Sequence, residues 1–323
     1  VKIAALARRG TSMETRMKRV LTLAALVLAG LLAPARAFAW DDLGHRVVAR
    51  IAWENMTPQA RANAVALLRA APEESGLPLL WRQGMWPDSI RDREFFVQAA
   101  SWADVVRDRD FVGNSFHRPP WHYVNYFWRQ QRTGGPALPS DHAPVGEMVA
   151  RLTELSGAIT SSSLPPAERG VDLAWVLYRA GDIHQPMHAS ARISPETPEG
   201  DRGANDFPLG PDRGDNLHSF WDQAITRSYR WGAETPGEYM GRIARTAMSA
   251  TPRPAGDAAL KPGQYEAWAR ESFDVAKTLY PASLHRGSPA PSAYDRASAR
   301  VATTRVAMAG YRLADLLNRA LGS

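Results

Sequence analysis

Apolar side chains recur at helical spacing along most of this chain, and alternation with a period of two is scarce. A first helix opens in Trp40-Asp41-Asp42-Leu43-Gly44-His45, with Asp42 as its N-cap, and runs through Ala52. Thr57-Pro58 reads as N-cap followed by proline at the first helical position, and starts a second helix carrying Ala60 to Ala71. A third starts at Pro87-Asp88 and reaches Phe95, Phe96, Ala99, Trp102 and Asp104. Residues 110–143 are broken up by glycine and proline and read as irregular, with one extended aromatic segment, Trp121 to Tyr126. Helices resume over Pro144–Ala158 and Pro166–Asp182, and again from Asp215 through Asp222. Three more cover about 236–249, 263–279 and 292–320. Between them, 191–214 is rich in Gly, Pro, Asp and Arg and reads as a long surface loop, a length that usually signals function or disorder. No internal repeat, coiled-coil heptad or strand-rich region is visible. The pattern predicts an all-α, single multi-helix domain.

The chain's beginning breaks this pattern. Lys18 and Arg19 precede an apolar run from Val20 to Leu32, then Ala33-Pro34-Ala35-Arg36-Ala37-Phe38-Ala39. A basic stretch, a short apolar stretch and a small-x-small site predict a secretory signal peptide over 1–39, cleaved after Ala39. The run falls short of the roughly 20 residues that span a bilayer. The expected product, 40–323, is exported to the periplasm or secreted and has no membrane partner.

Processing changes the charge argument. The 323 residues carry a formal charge of +6, but 1–39 hold seven of the 39 basic side chains and one of the 33 acidic ones, leaving 32 of each. A global basic footprint for nucleic acid is therefore absent from the processed chain, and an anionic substrate must be drawn by bound cations and local arginines. With no cysteine, disulfides are excluded, and any metal must be held by His, Asp, Glu or main-chain groups.

Such groups occur in suggestive local patterns. Gly181-Asp182-Ile183-His184-Gln185-Pro186-Met187-His188 ends an apolar helix, and Pro186 forces a turn near Gln185 that can swing His188 back toward Asp182. Carboxylate plus imidazole is a ligand mix zinc accepts; a buried Asp–His pair capping a helix is the plainer alternative. His218 and Asp222 stand one turn apart on one helix face, as do Tyr178 and Asp182. Asp104 closes Ser101-Trp102-Ala103-Asp104, with Arg107 three residues on; His122 sits in the aromatic segment and His45 on the first helix. Taken singly, each is equally a surface pair, a core histidine or a solvated charge.

Together these motifs resemble the zinc-dependent, single-strand-specific nucleases of the S1/P1 type, whose helical fold is shared with zinc-dependent phospholipase C. The resemblance covers nearly all of 40–323. It implies a three-zinc cluster held by Trp40 (through its freed α-amine and carbonyl), His45, Asp104, His122, a bridging Asp182, His188, His218 and Asp222. It also implies phosphodiester hydrolysis of single-stranded DNA and RNA to 5′-phosphorylated products, with 3′-nucleotidase action as a further option. Asp104 would orient the nucleophile and Arg107 neutralise the phosphoryl oxygens. Tyr123 would stack a base; the position of Asn125 is often Asp in the family and contacts the base. Gly203-Ala204-Asn205 stands for a usual Gly-Gly-Asn, a minor change, and makes Asn205 a substrate-binding candidate. Tyr178 departs from the pattern, since the family carries His there. Phenolate ligation, a water in its place and a weaker, exchangeable ion remain open. His184 reads as structural or supporting the ligands; His117, His142 and His285 receive no role. Two rival readings are a zinc phospholipase C, which has Glu where this chain has Asp222, and an exported zinc-binding protein whose catalysis lapsed with Tyr178. The sequence leaves the oligomeric state open.

Overall fold

The computed structural model describes residues 40–211 and 215–322. The signal-peptide reading falls on 1–39, outside the described residues. Helices dominate: α1 (Asp42–Asn55), α2 (Pro58–Ala70), α3 (Leu77–Gln83), α4 (Asp88–Ala99), α5 (Trp102–Val105), α6 (Met148–Ala158), α7 (Pro166–Asp182), α8 (Leu217–Asp222), α9 (Ala224–Ser228), α10 (Pro236–Ala250), α11 (Asp257–Leu260), α12 (Tyr265–Ala276) and α13 (Ser292–Leu321). The all-α expectation holds. No helix among the described residues is long and apolar enough to cross a membrane.

Helix α1 is the hub. Its Val47, Val48, Ile51 and Ala52 are buried, and it packs against α13, α10 and α4. Its cap is Asp41, not Asp42: the Asp41 carboxylate accepts from the Gly44 amide at 3.0 Å, and Asp42 already belongs to the first turn. Helix α7 packs on α2 and α6. From Leu173 through Asp182 every one of its residues is buried. A helix end enclosed on all sides needs partners for its polar groups, and this one carries Tyr178 and Asp182.

The third expected helix is in fact two. Helix α4 stops at Ala99, where the Ser101 hydroxyl donates back to the Gln98 carbonyl at 3.1 Å, and α5 starts afresh at Trp102. The break re-aims Asp104. Helix α3 was not expected; its short run, Leu77 to Gln83, lies between Gly76 and Gly84.

A small sheet was also missed. Strand β1 (Tyr126–Arg129) lies between β2 (Leu138–Pro139) and β3 (Ser190–Ile193), in the order β2-β1-β3. β1 pairs with β3 in parallel, Tyr126 opposite Ser190 and Trp128 opposite Arg192. A parallel pair needs a long crossover, and here α6 and α7 lie within it. This register matters because both strands start at the site: His122 precedes β1 and His188 precedes β3.

The reading of 191–214 as a surface loop is corrected in part over its described residues, 191–211, which alternate between exposed and buried positions. Ser194, Thr197, Asp201, Ala204, Phe207 and Leu209 are buried. Asp201 accepts from the Arg192 amide at 2.9 Å and from the Tyr280 hydroxyl at 2.6 Å. Part of the segment's polar composition, Asp201 above all, is satisfied internally, while Glu196, Glu199 and Arg202 stay exposed to solvent.

Candidate metal centre and substrate cleft

Asp182 is the centre of the cluster. It is fully buried at the end of α7. His45 Nε2 on α1 lies 3.3 Å from its Oδ1, His188 Nδ1 3.5 Å from the same oxygen, and His122 Nδ1 3.6 Å from Oδ2. Gly181 allows the approach of α1, since a Cβ there would meet His45 Nδ1 at 2.6 Å. Arrival of His188 depends on the Pro186 turn: Gln185 is extended and Pro186–Ala189 forms a 3₁₀ turn, bringing the imidazole back as expected.

A second group lies beside it. His188, His218 and Asp222 present one ligand atom each, all within 4.8 Å of one another. His218 and Asp222 share a face of α8, whose start is fixed by a capping box between Asn216 and Ser219. The hydrogen bonds around them set the tautomers. His188 Nδ1 donates to the His122 carbonyl at 2.7 Å, and His218 Nδ1 to the Gly203 carbonyl at 2.6 Å. Both Nε2 atoms thereby face the Asp222 carboxylate, at 3.6 and 3.5 Å, and are the ring nitrogens that a cation held between them would use. Asp222 Oδ1 accepts from Gln185 Nε2 at 2.6 Å, leaving Oδ2 for a cation. Gln185 also accepts from the Met187 amide through Oε1 at 2.6 Å. It is a supporting residue that the sequence reading used only as a turn marker.

Asp104, after the α4–α5 break, faces Tyr178, whose hydroxyl donates to its Oδ1 at 2.7 Å. Tyr178 stacks on His45 with ring centres 4.0 Å apart. Arg107 brings Nη2 to 2.8 Å from His122 Nδ1 and 3.1 Å from Asp104 Oδ1. Trp40 is fully buried; its indole donates to the Gly181 carbonyl at 3.1 Å, and the next amide, Asp41, donates to the Asp222 carbonyl at 2.9 Å. The sequence positions named as ligands therefore lie together. His184 does not join them: its ring faces away, between the Ala180 carbonyl and Arg312.

The electrostatics are those of a cation site. Burial alone would raise the Asp182 carboxyl, but the surrounding imidazoles, His188 first, hold it well below the usual carboxylate range. For His188, burial opposes the charged form, and Asp182 and Asp222 overcome it to raise the group to about 10. Burial and the neighbouring Arg107 push His122 down to about 3, so it stands as neutral imidazole. Burial raises Asp104 to about 6 against the pull of Arg107, and burial, then Asp104, raises Tyr178 well above its ordinary value. His45 Nε2, both oxygens of Asp182, Asp104 Oδ2, His188 Nε2 and Asp222 Oδ2 are buried without a hydrogen-bond partner. Buried polar atoms without partners are costly. Converging N and O donors that lack partners are what a zinc-binding set requires.

Above the cluster opens a cavity of about 440 Å³. Arg107, His122, His188 and His218 form its floor, and Tyr123, Asn125 and Asn205 line it, together with His117 and Arg202. His117 had no assigned role and Arg202 was not singled out. Arg202, Gly203 and Ala204 all have positive φ, 52°, 64° and 67°. Gly203 cannot carry a side chain, because a Cβ would meet the Met187 carbonyl at 2.3 Å. The Gly-to-Ala change at 204 is thus not minor, since it puts a side chain on a left-handed residue.

The family profile described as S1/P1 Nuclease matches residues 40–322. The chain belongs to the S1/P1 nuclease family. As a member it is a phosphoester hydrolase, of a family that is generally zinc-dependent. The match begins at Trp40, the first residue after the expected cleavage point. No curated protein matches the chain.

Proposed function

We propose that this S1/P1 nuclease is a zinc-dependent phosphodiesterase, exported and processed, that cuts single-stranded DNA and RNA and removes 3′-phosphates from nucleotides. The observation that carries the reading is the set of partnerless buried donors on Asp104, Asp182, His188 and Asp222, directly beneath a cavity lined by Arg107, Tyr123 and Asn125. His45, Asp182 and the main chain and amine of Trp40 would hold one zinc, and His188, His218 and Asp222 another. Bound there, zinc supplies an acidified water and charge neutralisation for a phosphodiester.

The chain's own groups do the rest. Arg107 offers its guanidinium to the phosphoryl oxygens at the cavity floor. Asp104 holds an acceptor oxygen, Oδ2, beside the place of attack. The Tyr123 ring stacks a base, worth roughly 1–3 kcal/mol, and the amides of Asn125 and Asn205 can hydrogen-bond to the base edge or sugar. Stacking needs an unpaired base, hence a single strand.

The test is a side-by-side assay on single-stranded DNA, RNA, a 3′-nucleotide and phosphatidylcholine, with and without chelator. Chelator-sensitive cleavage of the nucleic acids, yielding 5′-phosphates, is expected. Turnover confined to phosphatidylcholine would establish the phospholipase reading, and zinc retention without any turnover the lapsed one.

A further inference from the structure

The corner of the cluster made by Asp104, His122 and Tyr178 is built differently from the other two. At the His188–His218–Asp222 corner, each ligand is held from behind by a carbonyl or by Gln185, and the atom facing inward is unpartnered or open to the cavity. At the Asp104 corner one carboxylate oxygen, Oδ1, and His122 Nδ1 are already taken, and only Asp104 Oδ2 and His122 Nε2 stay unpartnered. Tyr178 donates its hydroxyl proton to Asp104 Oδ1 at 2.7 Å, and its oxygen lies 3.1 Å from His122 Nδ1. Arg107 Nη2 sits among all three, 2.8 Å from His122 Nδ1, 3.1 Å from Asp104 Oδ1 and 3.4 Å from the Tyr178 oxygen. A hydroxyl that donates to the carboxylate is not a phenolate ligand, and a guanidinium hydrogen-bonded between the two donors repels a dication.

We infer that in this chain Tyr178 and the Arg107 guanidinium replace one ion of the cluster, so that the site holds at most two zinc ions and Arg107 supplies the positive charge at the third corner. Arg107 also lines the cavity floor, so the same cation that neutralises Asp104 is presented to the substrate phosphate. Tyr178 is a positioning residue here. Packed against His45 and bonded to Asp104, it fixes the carboxylate that orients the guanidinium.

The inference rests on the zinc reading proposed above, and ion counting separates the two. Zinc per chain is measured by elemental mass spectrometry on protein recovered from expression of the full chain, after dialysis against zinc-free buffer. At most two ions are expected in the wild type. Tyr178→His, which restores an imidazole, should bind one more, and Tyr178→Phe should leave the count unchanged. Absorbance near 295 nm on zinc addition should show no tyrosinate. Three ions in the wild type, a tyrosinate signal, or no gain in a folded Tyr178→His protein would overturn this inference alone. A chain that takes up no zinc would overturn both. If Tyr178→His does not fold, the wild-type count decides.

Discussion

Individual side chains divide into those whose chemistry names them and those whose surroundings do. Asp182, His188, His218 and Asp222 are chemical ligand types at fixed spacings, and they were readable as such. Gln185 was not, since a glutamine between two histidines has no signature until its Nε2 is found on Asp222. Partners of this kind typically carry a factor of 10–100 in metal affinity. Gln185→Ala should weaken zinc binding to that degree, measured by competition with a chromophoric chelator; unchanged affinity would remove Gln185 from the site. The carbonyls that fix the two histidine tautomers, those of His122 and Gly203, are equally invisible, because every residue owns one. Ala204 is a third case. At φ 67° a non-glycine residue costs about 1 kcal/mol or more. Ala204→Gly should therefore raise stability by about 0.5–1 kcal/mol in urea unfolding, after the entropy that glycine adds to the unfolded chain. A loss of stability would mean that the buried methyl outweighs the backbone.

Among elements, long helices were legible and short strands were not. Helix α7 was read to the residue because Pro166 marks its start and its apolar run is 3.6-periodic. β1 and β3 have four residues each, too few to show a period, and β3 is buried along most of its length. The same limit hid the packing behind the ligand turn. Arg305 donates to the His184 carbonyl at 3.0 Å, Arg312 to His184 Nε2 at 2.9 Å, and Glu271 receives Arg312 at 2.7 Å and Lys261 at 2.7 Å. These groups come from α12, α13 and the end of α11, and they clamp the turn from the side opposite the cavity. Burial works against the Glu271 carboxylate, but Arg312 and Lys261 hold it down at about 2, below its ordinary 4.5. Its contribution is therefore complete above about pH 4.5 and is lost as pH falls toward 2. Glu271 is partly exposed, so Glu271→Gln should cost only about 1–2 kcal/mol at pH 7 and markedly less at pH 3. Urea titrations at the two pH values would show it, and an equal loss at both would contradict the linkage.

For the molecule as a whole, buried donors without partners make folding and zinc binding one equilibrium. Zinc at about a hundred times its dissociation constant should add about 2.7 kcal/mol per ion, or about 4–5 °C in Tm per ion for a domain of this size. A scan with and without chelator measures it, and an unchanged Tm would mean that the donors do not bind zinc in the folded protein. Trp40 and Asp41 are stitched to the Gly181 and Asp222 carbonyls. A form blocked in processing should therefore bind less zinc, since an acylated nitrogen is no ligand; equal zinc in both forms would separate the cluster from processing. The parallel pairing of β1 with β3 carries one more consequence. The Val124 amide reads the His188 carbonyl at 2.9 Å, and His188 reads back to His122 at 2.7 Å. An engineer wishing to retarget the enzyme cannot transplant the stretch 121–126, proposed above to contact the base, by itself. The donor's counterpart of 186–193 must travel with it, or the new specificity arrives with its imidazoles out of register.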